Sequence, residues 1–190
     1  MNVLICMLRG VNVGGHHKIK MDELRTLCEA LGHSSVQTYV QSGNVVFATK
    51  KRDFDRLAIE IEKAIEQRSG FHSDAILRSV DELRGVVRKS PFVTRQDIEP
   101  NKLVVTFLAK DPGQGAREQV LAMSIGPEEL RFEQREYYVY FPDGMGKSKL
   151  PIAAIERRLK VPGTGRNWNS VTKMLEIAEG IEARLSSPVA

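Results

Sequence analysis

Basic and small polar residues gather in a loop that follows the first apolar run of the chain. The run is Val3–Leu8, and the loop after it carries Arg9, Asn12, a pair of glycines and Lys18. A guanidinium and an ammonium attract an anion, and glycines let backbone N–H groups approach it closely. The pattern predicts that this loop binds an extended anion such as a phosphodiester.

A second polar segment, Gln41–Asn44, separates two β-rich runs and has the composition of a hairpin turn. Gln41, Ser42 and Asn44 offer amide and hydroxyl groups to a ligand, although the same residues are typical of a simple turn. We expect this turn at the opposite end of the predicted sheet from the first loop. In that arrangement, the first loop and this turn can belong to one site only if the second half of the chain bridges them.

The segment GMGKSK contains Lys147, Ser148 and Lys149, after a predicted strand and before a predicted helix. A nucleotide-binding P-loop would require glycine at the position of Phe141, so that motif fails. The glycines still allow backbone N–H groups to approach an anion, and Ser148 is expected to cap the following helix. The alternative is that the glycines form a turn and Ser148 only caps.

The segment TGRNWNS places Arg166, Asn167 and Asn169 around the start of the last predicted helix. Either asparagine is suited to be its N-cap. A guanidinium beside a helix N-terminus suits a carboxylate or a phosphate, whereas Trp168 is expected to anchor the core. We therefore count Arg166, Asn167 and Asn169 among the candidate ligand-binding residues.

We expect Arg9, Lys149 and Arg166 to border one electropositive cleft between the two halves of the chain. This expectation assumes that the loops after the first and third strands of each half emerge at the same end. The ligand would be a nucleotide, a nucleic acid or another phosphorylated molecule. Two alternatives stay open: an enzyme that acts on a phosphorylated small molecule through these cations, and a structural or oligomerisation protein, such as a homodimer.

Other chemistries have little support in the sequence. Adjacent His16 and His17 lack a carboxylate or cysteine at a ligand spacing, so no metal is predicted. The chain has no GxGxxG fingerprint and no GxSxG elbow, so no cofactor and no catalytic residue is identified. Cys6 and Cys28 fall in a predicted strand and on the apolar side of a predicted helix, which favours reduced core thiols.

The composition is that of an ordinary globular protein, with 42% hydrophobic and 27% charged residues. The 28 cations exceed the 24 anions only mildly, so the net charge of +4 does not by itself indicate a nucleic-acid binder. No apolar run reaches the roughly 18 residues needed to cross a bilayer. No basic region precedes the first apolar stretch. We expect no membrane partner and a cytoplasmic protein.

Hydrophobic periodicity predicts the order β, α, β, β, α, β over residues 1–89, the split-βαβ arrangement of ferredoxin-like folds. Residues 90–101 lack periodicity and are predicted to be a connector, and residues 102–190 form a second βαββα half with a C-terminal helix. The strand runs are apolar throughout, which predicts that both sheet faces are covered. The predicted class is α+β, with two ferredoxin-like (α/β plait) halves packed together.

The segments LRGVNVGG, YVQSGNVVF, PDGMGKSKL and TGRNWNSVTK together resemble an uncharacterised bacterial family, domain of unknown function 1697, over nearly the whole chain. The resemblance implies an α/β plait repeated twice and implies no reaction. Two positions depart from the pattern: His16–His17 replace lysine or asparagine, and Lys147 stands where arginine is frequent. The matching residues are Arg9, Gly10, Asn12, Gly14, Gly15, Lys18, Tyr39, Gln41, Ser42, Gly43, Asn44, Ser148, Lys149, Leu150, Arg166, Asn167, Trp168 and Asn169.

Overall fold

The first half of the chain forms a four-stranded antiparallel sheet with the predicted element order. The structure is a computed structural model that describes residues 1–123 and 125–187. The sheet order is β2-β3-β1-β4, as in a ferredoxin-like unit. Its elements are β1 (Asn2–Leu8), α1 (Met21–Ala30), β2 (Ser34–Tyr39), β3 (Asn44–Thr49), α2 (Phe54–Ser69), β4 (Ala75–Ser79) and α3 (Val80–Arg88).

The second half forms another four-stranded antiparallel sheet, in the order β6-β7-β5-β8. Two single-turn 3-10 helices, Pro100–Lys102 and Met145–Lys147, flank its strands. The longer elements are β5 (Leu103–Leu108), α4 (Gln114–Leu121), β6 (Glu129–Glu133), β7 (Glu136–Tyr140), α5 (Ile152–Leu159), β8 (Gly163–Asn167) and α6 (Trp168–Ser186). The predicted α+β class with two ferredoxin-like halves is confirmed, since each half contributes one such sheet.

Strand β8 is missing from the predicted second half, which was therefore incomplete. Its sequence GTGRN has no apolar residue and two glycines, so periodicity gives no strand signal there. The strand forms because its backbone pairs with the buried strand β5, from Val104 opposite Asn167 to Leu108 opposite Gly163. Tertiary pairing overrides the weak local preference in this segment.

Helix boundaries follow the capping residues in the sequence. Asp53 accepts a hydrogen bond from the Arg56 N–H at 3.0 Å and begins α2, and Gly70 ends α2 in the left-handed conformation. A capping box begins α3: the Glu82 N–H donates to the Ser79 hydroxyl, and the Ser79 N–H donates to the Glu82 carboxylate.

The central strands are buried on both faces, as the uniform apolar runs predict. Every residue of β3 and of β7 is buried, and so is every residue of β1 after Asn2. On one face of the first sheet, alternate residues of β1 such as Leu4 pack with the apolar side of α2, which includes Leu57. The edge strands β2 and β6 are more exposed.

The chain divides into two compact units. One comprises Met1–Arg84 and the residues from Lys173 onward, and the other comprises Gly85–Thr172. Both divisions lie inside helices, in α3 and in α6, whereas the sequence predicted a connector at residues 90–101. In the part of the chain that the structure describes, no helix has the length and apolar character needed to span a bilayer.

Candidate anion-binding site

The carboxyl end of β1 lies beside the turn between β2 and β3. Met7 pairs with Asn44, and the Leu8 N–H donates to the Gly43 carbonyl at 2.9 Å. The prediction that this turn lies at the opposite end of the sheet from the first loop is therefore wrong. Because β1 and β3 are antiparallel, the end of one strand adjoins the start of the other. The first loop and the Gln41–Asn44 turn thus form one structure within the first unit.

Asn12 joins these two segments. Its Nδ2 donates to the carbonyls of Gln41 at 2.7 Å and of Ile19 at 3.0 Å, and its Oδ1 accepts from the Ile19 N–H at 3.0 Å. All three bonds are internal to the protein, and the residue has a positive φ of 55°, which asparagine tolerates better than most residues. Asn12 therefore shapes the loop.

The turn residue Asn44 has a similar structural role. It is fully buried, and its Nδ2 donates to the Tyr39 carbonyl at 3.1 Å and to the Ser42 hydroxyl at 2.9 Å. Ser42 is half-buried, whereas Gln41 is exposed. Of the three candidate residues predicted in this turn, Gln41 is the one whose side chain is placed to reach a ligand.

A cleft of about 390 Å³, the first-loop cleft, opens between the first loop, the start of α1 and the turn. Lys18 and Lys20 line it, and neither side chain has a hydrogen-bond or ion-pair partner among the described residues. Glu23 is the single carboxylate of the lining, and it accepts from the Lys20 N–H at 3.5 Å. The lining residues are Asn12, Gly15, Lys18, Ile19, Lys20, Glu23 and Gln41.

Arg9 lies near this cleft in sequence but has a carboxylate partner. Its Nη1 is 3.4 Å from the Asp74 carboxylate, and its N–H donates to the Asp74 carbonyl at 2.9 Å. The Ser73 hydroxyl donates to the Arg9 carbonyl at 2.9 Å. These bonds attach the start of the first loop to the start of β4, and the Arg9 side chain remains 40% exposed.

Lys147, Ser148 and Lys149 line a cleft of about 350 Å³ in the second unit. Glu128 and Asp143 also line it, so the two ammonium groups share the cleft with two carboxylates. The Ser148 hydroxyl is hydrogen-bonded to Glu128 and accepts from the Leu150 N–H at 3.0 Å. Since α5 begins only at Ile152, the expectation that Ser148 caps this helix is wrong.

The loop that contains these lysines follows β7, whose last residue Tyr140 pairs with Leu103 at the start of β5. It therefore emerges at the opposite end of the sheet from the loop after β5. The assumption that the loops after the first and third strands share an end is wrong in both halves, because these strands are antiparallel. The prediction that Arg9, Lys149 and Arg166 border one cleft is no longer supported by this assumption, and it stays a prediction.

Arg166 lies in β8 and is 6% exposed. It donates to the Thr164 hydroxyl at 2.6 Å and to the Gly165 carbonyl at 2.9 Å. Asn167 is the N-cap of α6, as one of the two alternatives predicted, because its Oδ1 accepts from the Asn169 N–H at 3.0 Å. The Nδ2 of Asn167 donates to the Asn101 carbonyl at 2.8 Å.

Sequence analysis missed the equivalent arginine of the first half, Arg78. It is 1% exposed and occupies the fourth position of β4, just as Arg166 occupies the fourth position of β8. Both arginines precede an N-cap residue, Ser79 or Asn167. The signal was an arginine that directly follows the apolar run Ala75–Leu77 inside a predicted strand.

Other reactive groups do not form a site in the described part of the chain. No group of three or more histidine, cysteine or acidic residues there could hold a metal ion. His17 stacks on Phe71 at 4.7 Å, and His16 is exposed. Cys6 and Cys28 are buried free thiols, and burial raises the pKa of Cys28 to about 12, so this thiol is protonated at neutral pH.

The architecture is that of a duplicated ferredoxin-like α+β protein with polar and basic loops at the strand ends. Residues 1–138 match the family described as Protein of unknown function (DUF1697), and the chain belongs to this family, as the resemblance predicted. The matched range includes the motifs LRGVNVGG and YVQSGNVVF and ends before PDGMGKSKL and TGRNWNSVTK. A conserved bacterial protein from Streptococcus pneumoniae, SP0830, has the same fold, with a TM-score of 0.72 and 23% identity over 93% of this chain and 98% of that one. No curated protein sequence matches this chain.

Proposed function

We propose that the protein binds a phosphate-bearing anion in the first-loop cleft. The observation that carries the proposal is the pair of exposed ammonium groups, Lys18 and Lys20, which line one cleft without a carboxylate partner. Two like charges held together repel each other, and an anion between them removes that repulsion. A phosphate carries enough negative charge to neutralise both.

Other groups of the cleft suit the same ligand. The Gln41 side chain supplies a neutral amide donor, and Gly15 leaves the backbone open to a ligand. Helix α1 begins after Lys20, and the dipole at its amino end adds positive potential to the cleft. The cleft volume of about 390 Å³ lies in the range of about 300–1,000 Å³ that is usual for small-molecule sites, which favours a nucleotide as the ligand.

Binding is favoured over catalysis because the cleft lining contains no serine, cysteine or histidine. Its one titratable carboxylate, Glu23, accepts a hydrogen bond from the backbone at the start of α1. A hydroxyl, thiol or imidazole nucleophile would have to come from outside this set. The proposed activity is therefore recognition of the phosphate group.

The test is thermal unfolding with pyrophosphate, ATP or a short single-stranded RNA as the probe. A ligand that binds only the folded protein adds about 2.7 kcal/mol of stability at about a hundred times its Kd. For a chain of this size that raises the Tm by roughly 5–10 °C. The double variant Lys18→Gln, Lys20→Gln should lose this rise, while its own Tm without ligand should stay close to that of the natural protein.

Lys50→Gln is the matched control, because Lys50 is exposed and follows the other end of β3 in the same unit. It should keep the full ligand-induced rise in Tm. RNA and ATP are distinguished by salt, since RNA affinity should fall steeply as salt increases and ATP affinity should fall less. An unchanged rise in the double variant, or an equal loss in the control, would contradict the proposed site.

A further inference from the structure

Val40 has an unusual backbone conformation beside the first-loop cleft. It directly follows β2 and directly precedes Gln41, which lines the cleft. Its φ is 50°, in the left-handed region. Six non-glycine residues in the described part of the chain have a positive φ, and Val40 is the one β-branched residue among them. A β-branched residue is rare in this region, because the Cβ atom comes too close to the following carbonyl oxygen.

Two asparagine side chains hold the backbone on both sides of Val40. The Nδ2 of Asn44 donates to the Tyr39 carbonyl at 3.1 Å, and the Nδ2 of Asn12 donates to the Gln41 carbonyl at 2.7 Å. A strained conformation persists only where the surrounding structure fixes it. The first loop and the turn therefore fix the conformation of Val40 together.

Neither conformational preference nor core packing accounts for a valine at this position. The other left-handed residues of the first loop and the turn are glycines, Asn12 and His17. Glycine and asparagine tolerate this conformation, and the His17 ring stacks on Phe71. Val40, in contrast, is 47% exposed, so burial does not offset its strain. Strained residues of this kind cluster at ligand-binding sites, which indicates that the Val40 side chain has a ligand to contact.

A second exposed valine lies on the other segment of the site. Val13 stands between Asn12 and Gly15, which both line the cleft, and it is 65% exposed. The loop doubles back at this point: the His16 N–H donates to the Val13 carbonyl at 3.0 Å, and the Asn12 N–H donates to the His17 carbonyl at 3.1 Å. Val13 is thus presented near the tip of a closed loop that Asn12 attaches to the turn.

We propose that the first-loop cleft recognises a nucleobase together with its phosphate, and that the base packs against Val40 and Val13. The phosphate lies between Lys18 and Lys20, so this inference rests on the proposed function. A nucleobase has apolar faces that pack on apolar side chains, and hydrogen-bonding groups at its edge. The exposed Gln41 amide, next to Val40, offers both a donor and an acceptor to that edge.

A lipid phosphate suits this site less well than a nucleoside phosphate. Ile19 is the single apolar side chain of the cleft lining, and it is buried. An acyl chain requires a long apolar groove, whereas the exposed faces of two valines match one flat ring. A free nucleotide and one residue of a nucleic-acid strand present the same base and phosphate, so both are sources of this ligand.

The test compares the affinities of AMP, ribose 5-phosphate and hexyl phosphate by titration calorimetry. AMP and ribose 5-phosphate share the phosphate and the sugar, and only AMP has a base. We expect AMP to bind about tenfold more tightly than either of the others, from the apolar area that the two valines bury against the base. A short oligoadenylate distinguishes the two sources: tighter binding than AMP identifies a strand, and weaker binding identifies a free nucleotide.

Val40→Asn separates ligand contact from a structural role. Asparagine adopts the left-handed conformation more readily than valine, so the Tm without ligand should rise by roughly 2–4 °C. The affinity for AMP should nevertheless fall to about that for ribose 5-phosphate, which should itself be unchanged. Val13→Ser should also reduce the preference for AMP. Ile59→Asn is the matched control, because Ile59 is 49% exposed in the same unit and does not line the cleft.

The outcomes distinguish this inference from the phosphate site on which it rests. Equal binding of AMP and ribose 5-phosphate, an unchanged preference for AMP in Val40→Asn, or binding of hexyl phosphate as tight as that of AMP would overturn the base contact. Absence of binding by all three probes, or full binding in the double variant Lys18→Gln, Lys20→Gln, would contradict the phosphate site itself.

Discussion

Replacement of Gly43 by alanine tests how the turn between β2 and β3 supports the first loop. Gly43 has a φ of 72°, and a Cβ atom there would lie 2.3 Å from a methyl carbon of Val11 and 3.0 Å from the Cβ of Leu8. Carbon atoms in contact normally stand about 3.5–4.0 Å apart. Because Val11 and Leu8 are buried, the added methyl group has to displace the first loop or the turn.

The expected loss of stability has two components. An alanine in the left-handed conformation costs roughly 1–2 kcal/mol. Overpacking against a buried side chain adds roughly 1–3 kcal/mol. Gly43→Ala should therefore lower the free energy of unfolding by roughly 2–5 kcal/mol, a large part of the roughly 5–15 kcal/mol by which a native protein is stable.

Gly10→Ala separates these components. Gly10 has nearly the same φ, 69°, but no atom lies within 4 Å of the Cβ position. Gly10→Ala should therefore lower the free energy of unfolding only by the conformational cost of roughly 1–2 kcal/mol. The measurement is urea unfolding of both variants and the natural protein, monitored by circular dichroism. Equal losses for the two variants would refute the steric argument and, with it, the close contact between the turn and the first loop.

Two further predictions concern buried cationic or titratable side chains. Burial and, second, the charge of Lys51 lower the pKa of His33, whose ring nitrogens have no hydrogen-bond partner among the described residues. Below the ordinary histidine pKa of about 6.5, the unfolded chain therefore binds a proton that the folded chain does not. The free energy of unfolding should decrease by up to about 1.4 kcal/mol for each unit by which the pH falls. His33→Phe should remove this dependence between about pH 7.5 and about pH 5.5 in urea titrations, and an unchanged dependence would contradict it. Arg166→Gln should lower the free energy of unfolding by roughly 2–4 kcal/mol, because it breaks charged hydrogen bonds, one of them to Thr164. The exposed control change Lys149→Gln should alter that free energy by no more than about 0.5 kcal/mol. Equal stability of these two variants would refute a structural role for Arg166.

The sequence predicts the helices and the apolar strands well, because their signals are local. Periodic apolar residues define α2, and the continuous run Leu103–Leu108 is the whole of β5. Strand β8 could not be predicted in this way, since GTGRN becomes a strand only through pairing with β5. Its direct continuation into α6 follows from Asn167, whose capping chemistry is visible in the sequence.

The arrangement of the candidate site was harder to predict than its residue types. Lys18 and Gln41 were correctly expected to carry polar groups in loops, but their common cleft depends on the antiparallel pairing of β1 and β3. Burial of Arg166 was also hidden, because arginine is usually exposed and only tertiary packing decides the exception. The lining of a cleft by residues distant in sequence is a property of the fold.

The comparison of the two halves distinguishes residues that maintain the fold from residues that are free to serve a ligand. Both fourth strands have a buried arginine, Arg78 or Arg166, followed by a residue that caps the next helix. A feature present in both halves is required by the architecture, whatever either half binds, which favours a structural role for Arg166. The preceding position differs, with Leu77 in the apolar core of one half and Gly165 beside a cavity in the other. A core position without a side chain leaves space unfilled at a cost in stability, so the position of Gly165 is a point at which the core of the second half differs from that of the first.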